Sequence, residues 1–181
     1  MGELKRHLEK STCARIERRG GIRLVVNILK DYPNCRKIQF DCLRIVRNIL
    51  SCLEVSESTA TSYIDHDALK AIIQTMLKHG EWKAVQEDGC ALLWMLAFNN
   101  ALYQMKIADL MGIQAILEAM ATQKAVEQVH YHGCGVLHVL SCNNEIKPKL
   151  LEAGALTCIF RSMEEHGYSP LVSEKSCSAL A

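Results

Sequence analysis

The residue types best suited to chemistry gather in one stretch, Val129-His130-Tyr131-His132-Gly133-Cys134-Gly135-Val136-Leu137-His138. On a helix, His130, Cys134 and His138 stand at i, i+4 and i+8 and share one face. Histidine and cysteine are zinc ligands. Cys90 and Cys177 lie 44 residues before and 43 residues after Cys134, so a neighbouring thiol is available in register. Three successive ligands, however, span about 12 Å of helix axis, too far for one ion held at about 2 Å. Two of them with a neighbouring cysteine would suffice. Against this, Cys90, Cys134 and Cys177 fall beside small residues, where cysteine packs as a small hydrophobe. That reading explains all three thiols, so no metal and no cofactor are expected. A nucleophilic Cys134 would need a base, an orienting group and an oxyanion hole. Only the histidines on its face answer that description.

No other catalytic pattern stands out. There is no phosphate-cradling glycine loop and no serine in a G-x-S-x-G setting. Catalysis is therefore not expected. The formal net charge is +1, which disfavours a nucleic-acid coat. The N-terminal cations Lys5, Arg6, Lys10, Arg15, Arg18 and Arg19 are diluted by Glu3, Glu9 and Glu17 and read as a solvated helix face. Nine cysteines with no C-x-x-C pair, and no apolar leader at the N-terminus, point to reduced thiols and a cytosolic or nuclear setting. Met1-Gly2 lacks the Ser or Thr at position 6 that myristoylation wants, since Arg6 stands there. No apolar run reaches membrane-spanning length, so no membrane partner is expected.

What would hold any site in place is a repeated helical unit. Apolar residues make up 49% of the 181 residues and aromatics only 6%, which favours helices. Gly21-Ile22, Ala68-Leu69, Gly112-Ile113 and Ala155-Leu156 recur at intervals of 47, 44 and 43 residues. From each anchor, position +3 holds Val25, Ile72, Ile116 and Ile159. Position +4 holds Val26, Ile73, Leu117 and Phe160, and +7 holds Leu29, Met76, Met120 and Met163. This is one buried helix face written four times. Six residues before each anchor stand Ile16, Tyr63, Ile107 and Leu150, closing a shorter helix. A later helix carries Ile38, Val85, Val129 and Val172, then Val46, Leu93, Leu137 and Leu180, with the same intervals. Tyr32-Pro33-Asn34, His79-Gly80-Glu81 and the His166 to Pro170 segment punctuate the second and third helices; Gly20, Gly21, Gly112 and Gly154 punctuate the first and second. Such a unit cannot bury its apolar face alone, so neighbours must stack.

Ile16-Glu17-Arg18-Arg19-Gly20-Gly21-Ile22-Arg23-Leu24-Val25-Val26 resembles the opening of the armadillo repeat. Val85-Gln86-Glu87-Asp88-Gly89-Cys90-Ala91-Leu92-Leu93-Trp94-Met95-Leu96-Ala97 resembles its third helix. The resemblance covers residues 8 to 181. It implies an all-α fold, a right-handed α-α superhelix of about four three-helix repeats (8–52, 56–98, 99–142 and 143–181), within one domain, 1–181. The last repeat is truncated. The Ala179-Leu180-Ala181 end is not a polar cap, so the expectation is a fragment of a longer protein.

In armadillo proteins the third helices line a concave groove. Importin-α-like and β-catenin-like members hold an extended peptide there with an asparagine, and importin-α-like ones add a tryptophan four residues earlier. The asparagine positions correspond here to Asn48, Met95 and Val139, and the tryptophan positions to Arg44, Ala91, Gly135 and Ser178. Only Asn48 keeps the pattern, and Trp94, one residue off, is expected to face elsewhere. A reader of basic peptides is therefore not implied. One turn earlier come Asp41, Asp88, His132 and Lys175. The candidate strip is thus Asp41, Arg44, Asn48, Asp88, Ala91, Met95, His132, Gly135, Val139 and Lys175. It is polar in the first unit and small and apolar around Met95, Gly135 and Val139, with room for a helical or extended protein segment.

The function expected is a scaffold or adaptor that binds a protein segment in this groove. The alternative is a regulatory or docking domain of a larger multidomain protein such as a kinase, as leucine-rich-repeat kinases resemble, with the groove covered from within. The Ser- and Thr-rich connector from Ser51 to Ser62 is a weak candidate for phosphorylation. The oligomeric state is left open.

Overall fold

A computed structural model describes the backbone of residues 2–53 and 64–181, and the side chains of 10–53 and 64–181. Tyr63 and most of the connector to Ser62 lie outside the described residues, as do the side chains of Lys5, Arg6, Glu3 and Glu9. The described residues form helices and no strand. In chain order they are α1 (Gly2–Arg18), α2 (Gly21–Asp31), α3 (Arg36–Leu53), α4 (His66–Lys78), α5 (Lys83–Ala97), α6 (Ala101–Asp109), α7 (Gly112–Thr122), α8 (Glu127–Ser141), α9 (Lys147–Glu152), α10 (Ala155–His166) and α11 (Pro170–Leu180). None is long and apolar enough to cross a membrane.

Local chemistry sets several helix starts. Asp65 accepts from the Ala68 N–H at 2.7 Å, Asn100 from Tyr103, and Ser169 from Val172, with Pro170 in the first turn of α11. Each supplies an acceptor for an otherwise unpaired donor. The tight turns before α2, α7 and α10 put Gly20, Met111 and Gly154 in left-handed backbone. Glycine adopts this freely, whereas Met111 is held there at a cost of about 1–2 kcal/mol. Gly21 and Gly112, expected inside these turns, are instead the first residues of α2 and α7.

The predicted faces mostly close the core. Ile22, Val26 and Leu29 are buried, and Ile72, Ile73, Met76, Ile113, Ile116, Leu117 and Met120 follow in register. Phe160 departs, 53% exposed, and so does the anchor Leu156 one turn before it, 42% exposed. The helices stack in two series. α2 packs on α4, α4 on α7 and α7 on α10; α3 packs on α5, α5 on α8 and α8 on α11.

A polar seam runs between the two series. Gln39 Nε2 donates to the carbonyls of Leu29 and Tyr32 at 2.8 and 2.9 Å. Gln86, its counterpart in the next unit, donates to Met76 and His79 at 2.9 and 3.0 Å. A second series steps from unit to unit. The His79 ring bonds the Pro33 carbonyl at 3.2 Å, Gln123 donates to Gly80 at 2.9 Å, and His166 Nε2 bonds Lys124 at 2.7 Å. These residues are buried, so each bond replaces the water that burial removed.

Candidate functional site

The stacked third helices α3, α5, α8 and α11 bring the candidate strip together, but not as an open trough. Its first end is charged. Arg44 is exposed, lies 4.4 Å from the Phe40 ring centroid, and points its Nε at Asp88 Oδ2, 3.3 Å away. Arg47 binds the other Asp88 oxygen, and Glu87 is 3.9 Å from the same guanidinium. The Asp88 carboxylate is fully buried. Two guanidinium groups are what make that burial tolerable, because a lone buried carboxylate carries a large desolvation penalty. Asp41 sits at the edge, paired with Lys37 at 2.7 Å, and Asn48 is exposed on α3.

The middle is filled. Ala91 and Val139 are 3% and 7% exposed, and Met95 is half-buried. A side chain at Gly135 would meet the Trp94 indole at 2.8 Å. The room expected above Gly135 is therefore occupied by Trp94, which does not face elsewhere. The indole lies 5.9 Å from His132 and edge-on to Tyr131 at 5.3 Å, and Lys175 Nζ stands 5.6 Å from it. An aromatic face beside an ammonium gains a cation–π attraction. His132 is pushed down to about 4, by burial first and by the Arg47 charge next, with Asp88 pulling the other way. It is a neutral ring at neutral pH. Lys175 also pairs with Glu174 at 2.8 Å.

Arg47, Trp94 and Tyr131 are the strip residues that spacing alone did not identify. Arg47 lies one helical turn beyond Arg44, facing the acidic pair Glu87-Asp88.

The histidine and cysteine set of α8 does not converge. His138 Nδ1 is 2.7 Å from the Ser178 carbonyl, and Cys134 Sγ is 3.4 Å from Ser176 Oγ. Burial raises the Cys134 thiol, which the Ser176 and Ser162 hydroxyls counter in part. Burial and the neighbouring thiols Cys134 and Cys158 push Cys90 up to about 12. These are inert, packed thiols rather than nucleophiles. His130 turns toward α10 instead, its Nδ1 2.9 Å from Ser162 Oγ.

No family model matches the chain, and no solved structure matches it significantly. Curated proteins are similar to it, two of them of one name. Armadillo repeat-containing protein 6 of Pongo abelii and of Homo sapiens are each 25% identical over 124 residues, 64% of this chain. The chain spans about a quarter of the length of these relatives. The armadillo repeats in the name of these relatives agree with the resemblance carried by the repeat anchors.

Proposed function

We propose that this chain is an armadillo-type superhelical scaffold of four units, which binds a protein segment across its third helices. The observation that carries this reading is the strip from Phe40 and Arg44 through Asp88 and His132 to Trp94 and Lys175. It presents fixed cations and aromatic surface side by side. Arginine, tryptophan and tyrosine dominate binding energy at protein interfaces because they offer large area and directed donors at low entropic cost. Asp88 holds the Arg44 Nε, so less side-chain freedom is lost on binding. The name of the similar proteins and the stacked helices support the same reading. Reduced thiols fit a cytosolic or nuclear setting.

The charges and rings of the strip support one kind of ligand. The strip favours an extended or helical segment carrying carboxylates for Arg44 and Lys175, and an apolar side chain to lie on Trp94. The test is affinity capture from cell extract with wild type, Arg44→Glu, Asn48→Ala and Lys175→Glu, beside Leu24→Ser on an exposed part of α2. Loss of the same captured proteins in the three strip variants, with melting unchanged, is expected. Identical capture by all the variants would overturn the reading. The alternative, a strip covered by another segment of a larger multidomain protein, would show as capture by this chain that the longer protein lacks.

A further inference from the structure

We propose that His130, Glu165 and His166 form a site for zinc or a similar transition-metal ion where α8 meets the C-terminal end of α10. One ligand atom from each lies within 4.8 Å of the others. Among the described residues His130 Nε2 is buried and makes no well-formed hydrogen bond, while its Nδ1 is fixed on Ser162 Oγ. An unpaired buried ring nitrogen is costly unless something accepts its lone pair or its proton. His166 is arranged in the complementary way. Its Nε2 bonds the Lys124 carbonyl, which places the proton there and leaves a lone pair on Nδ1. That Nδ1 stands 3.4 Å from the Tyr168 hydroxyl.

Metal-binding histidines commonly have this form: one nitrogen tied to a backbone carbonyl or hydroxyl, the other directed at the ion. The Glu165 carboxylate supplies charge, and the fourth place of a tetrahedral centre falls to water or Tyr168. Ligand atoms around zinc stand about 3.4 Å apart, so the set must draw in by up to about 1.4 Å. Glu165, which is not buried, has the freedom to do so.

The repeat itself shows that histidine is not required here for structure. At the register of His166, Gln123 makes the same bond to the preceding unit, and at the register of His130, Gln39 and Gln86 make the seam. Glutamine at both positions therefore keeps the structural bonds and removes the two imidazoles.

The test uses the whole chain with its exposed thiols alkylated, since Cys35, Cys142 and Cys177 would otherwise hold zinc on their own. Wild type, Glu165→Gln and the double variant His130→Gln/His166→Gln are equilibrated with zinc chloride, desalted, and read by metal content, by melting temperature, and by visible absorption after cobalt replaces zinc. Retention of about one zinc per chain is expected in wild type, with a raised melting temperature. Affinity should fall on the order of ten-fold or more in Glu165→Gln, and retention should vanish in the double variant. Wild type that retains no zinc, or a double variant that retains as much, overturns the proposal. A double variant that fails to fold leaves Glu165→Gln, at the surface, to decide it.

Discussion

Arg47 of α3 holds Asp88 of α5 by an ion pair in which the carboxylate is fully buried. Arg44 completes the clamp at 3.3 Å. Removing the cations while leaving the carboxylate strands a charge away from water. The double variant Arg44→Ala/Arg47→Ala should lose about 3–5 kcal/mol. Adding Asp88→Asn should restore part of that, because the neutral amide is cheaper to bury. Urea unfolding measures both; a double variant as stable as wild type would mean that Asp88 is not sealed from solvent.

Gly135 and Trp94 interlock, and here helix propensity and packing oppose each other. In an exposed helix interior, alanine in place of glycine gains about 1 kcal/mol. Here the added methyl would stand 2.8 Å from a rigid indole. Gly135→Ala should therefore destabilise the chain by about 1–3 kcal/mol. In a Trp94→Ala background the same change should be neutral or favourable. Thermal melts of the four proteins form the cycle, and a Gly135→Ala chain more stable than wild type would refute the interlock.

The thiols should divide by position. Cys90 and Cys134 are fully buried, whereas Cys35, Cys142 and Cys177 are exposed. With Cys90 pushed up to about 12 by burial, thiolate is scarce there as well as inaccessible. Iodoacetamide at mildly alkaline pH, followed by peptide mass spectrometry, should label the three exposed cysteines in the native chain. Cys90 and Cys134 should react only after denaturation. Rapid native labelling of Cys90 would contradict its packing.

The helical organisation was legible because it is periodic. Leu29, Met76 and Met120 recur at intervals that no local accident imposes, and all three are buried. The strip was legible in its members but not in its relief. Small residues at Ala91, Gly135 and Val139 read as empty space, yet a gap on one helix is the natural seat for a large side chain on the next. Trp94 stands one residue from the expected position, and its length carries the indole across. Arg47 and Asp88 are 41 residues apart, and His130 and His166 are brought together across two helices. No spacing rule within one helix reports such pairs. Phe160 obeyed the periodic face and is exposed all the same, because periodicity marks a face without saying what lies against it.

The stepwise bonds from His79 to Pro33, from Gln123 to Gly80 and from His166 to Lys124 have a mechanical consequence. They tie successive loops together along a single margin. Helix faces held by apolar contact can slide a little at small expense, but a directed bond between a side chain and a carbonyl tolerates little stretch. That margin is stiff, like the spine of a book. When the chain flexes, the tied edge keeps its length, and the opening and closing occur along the far edges of the pages.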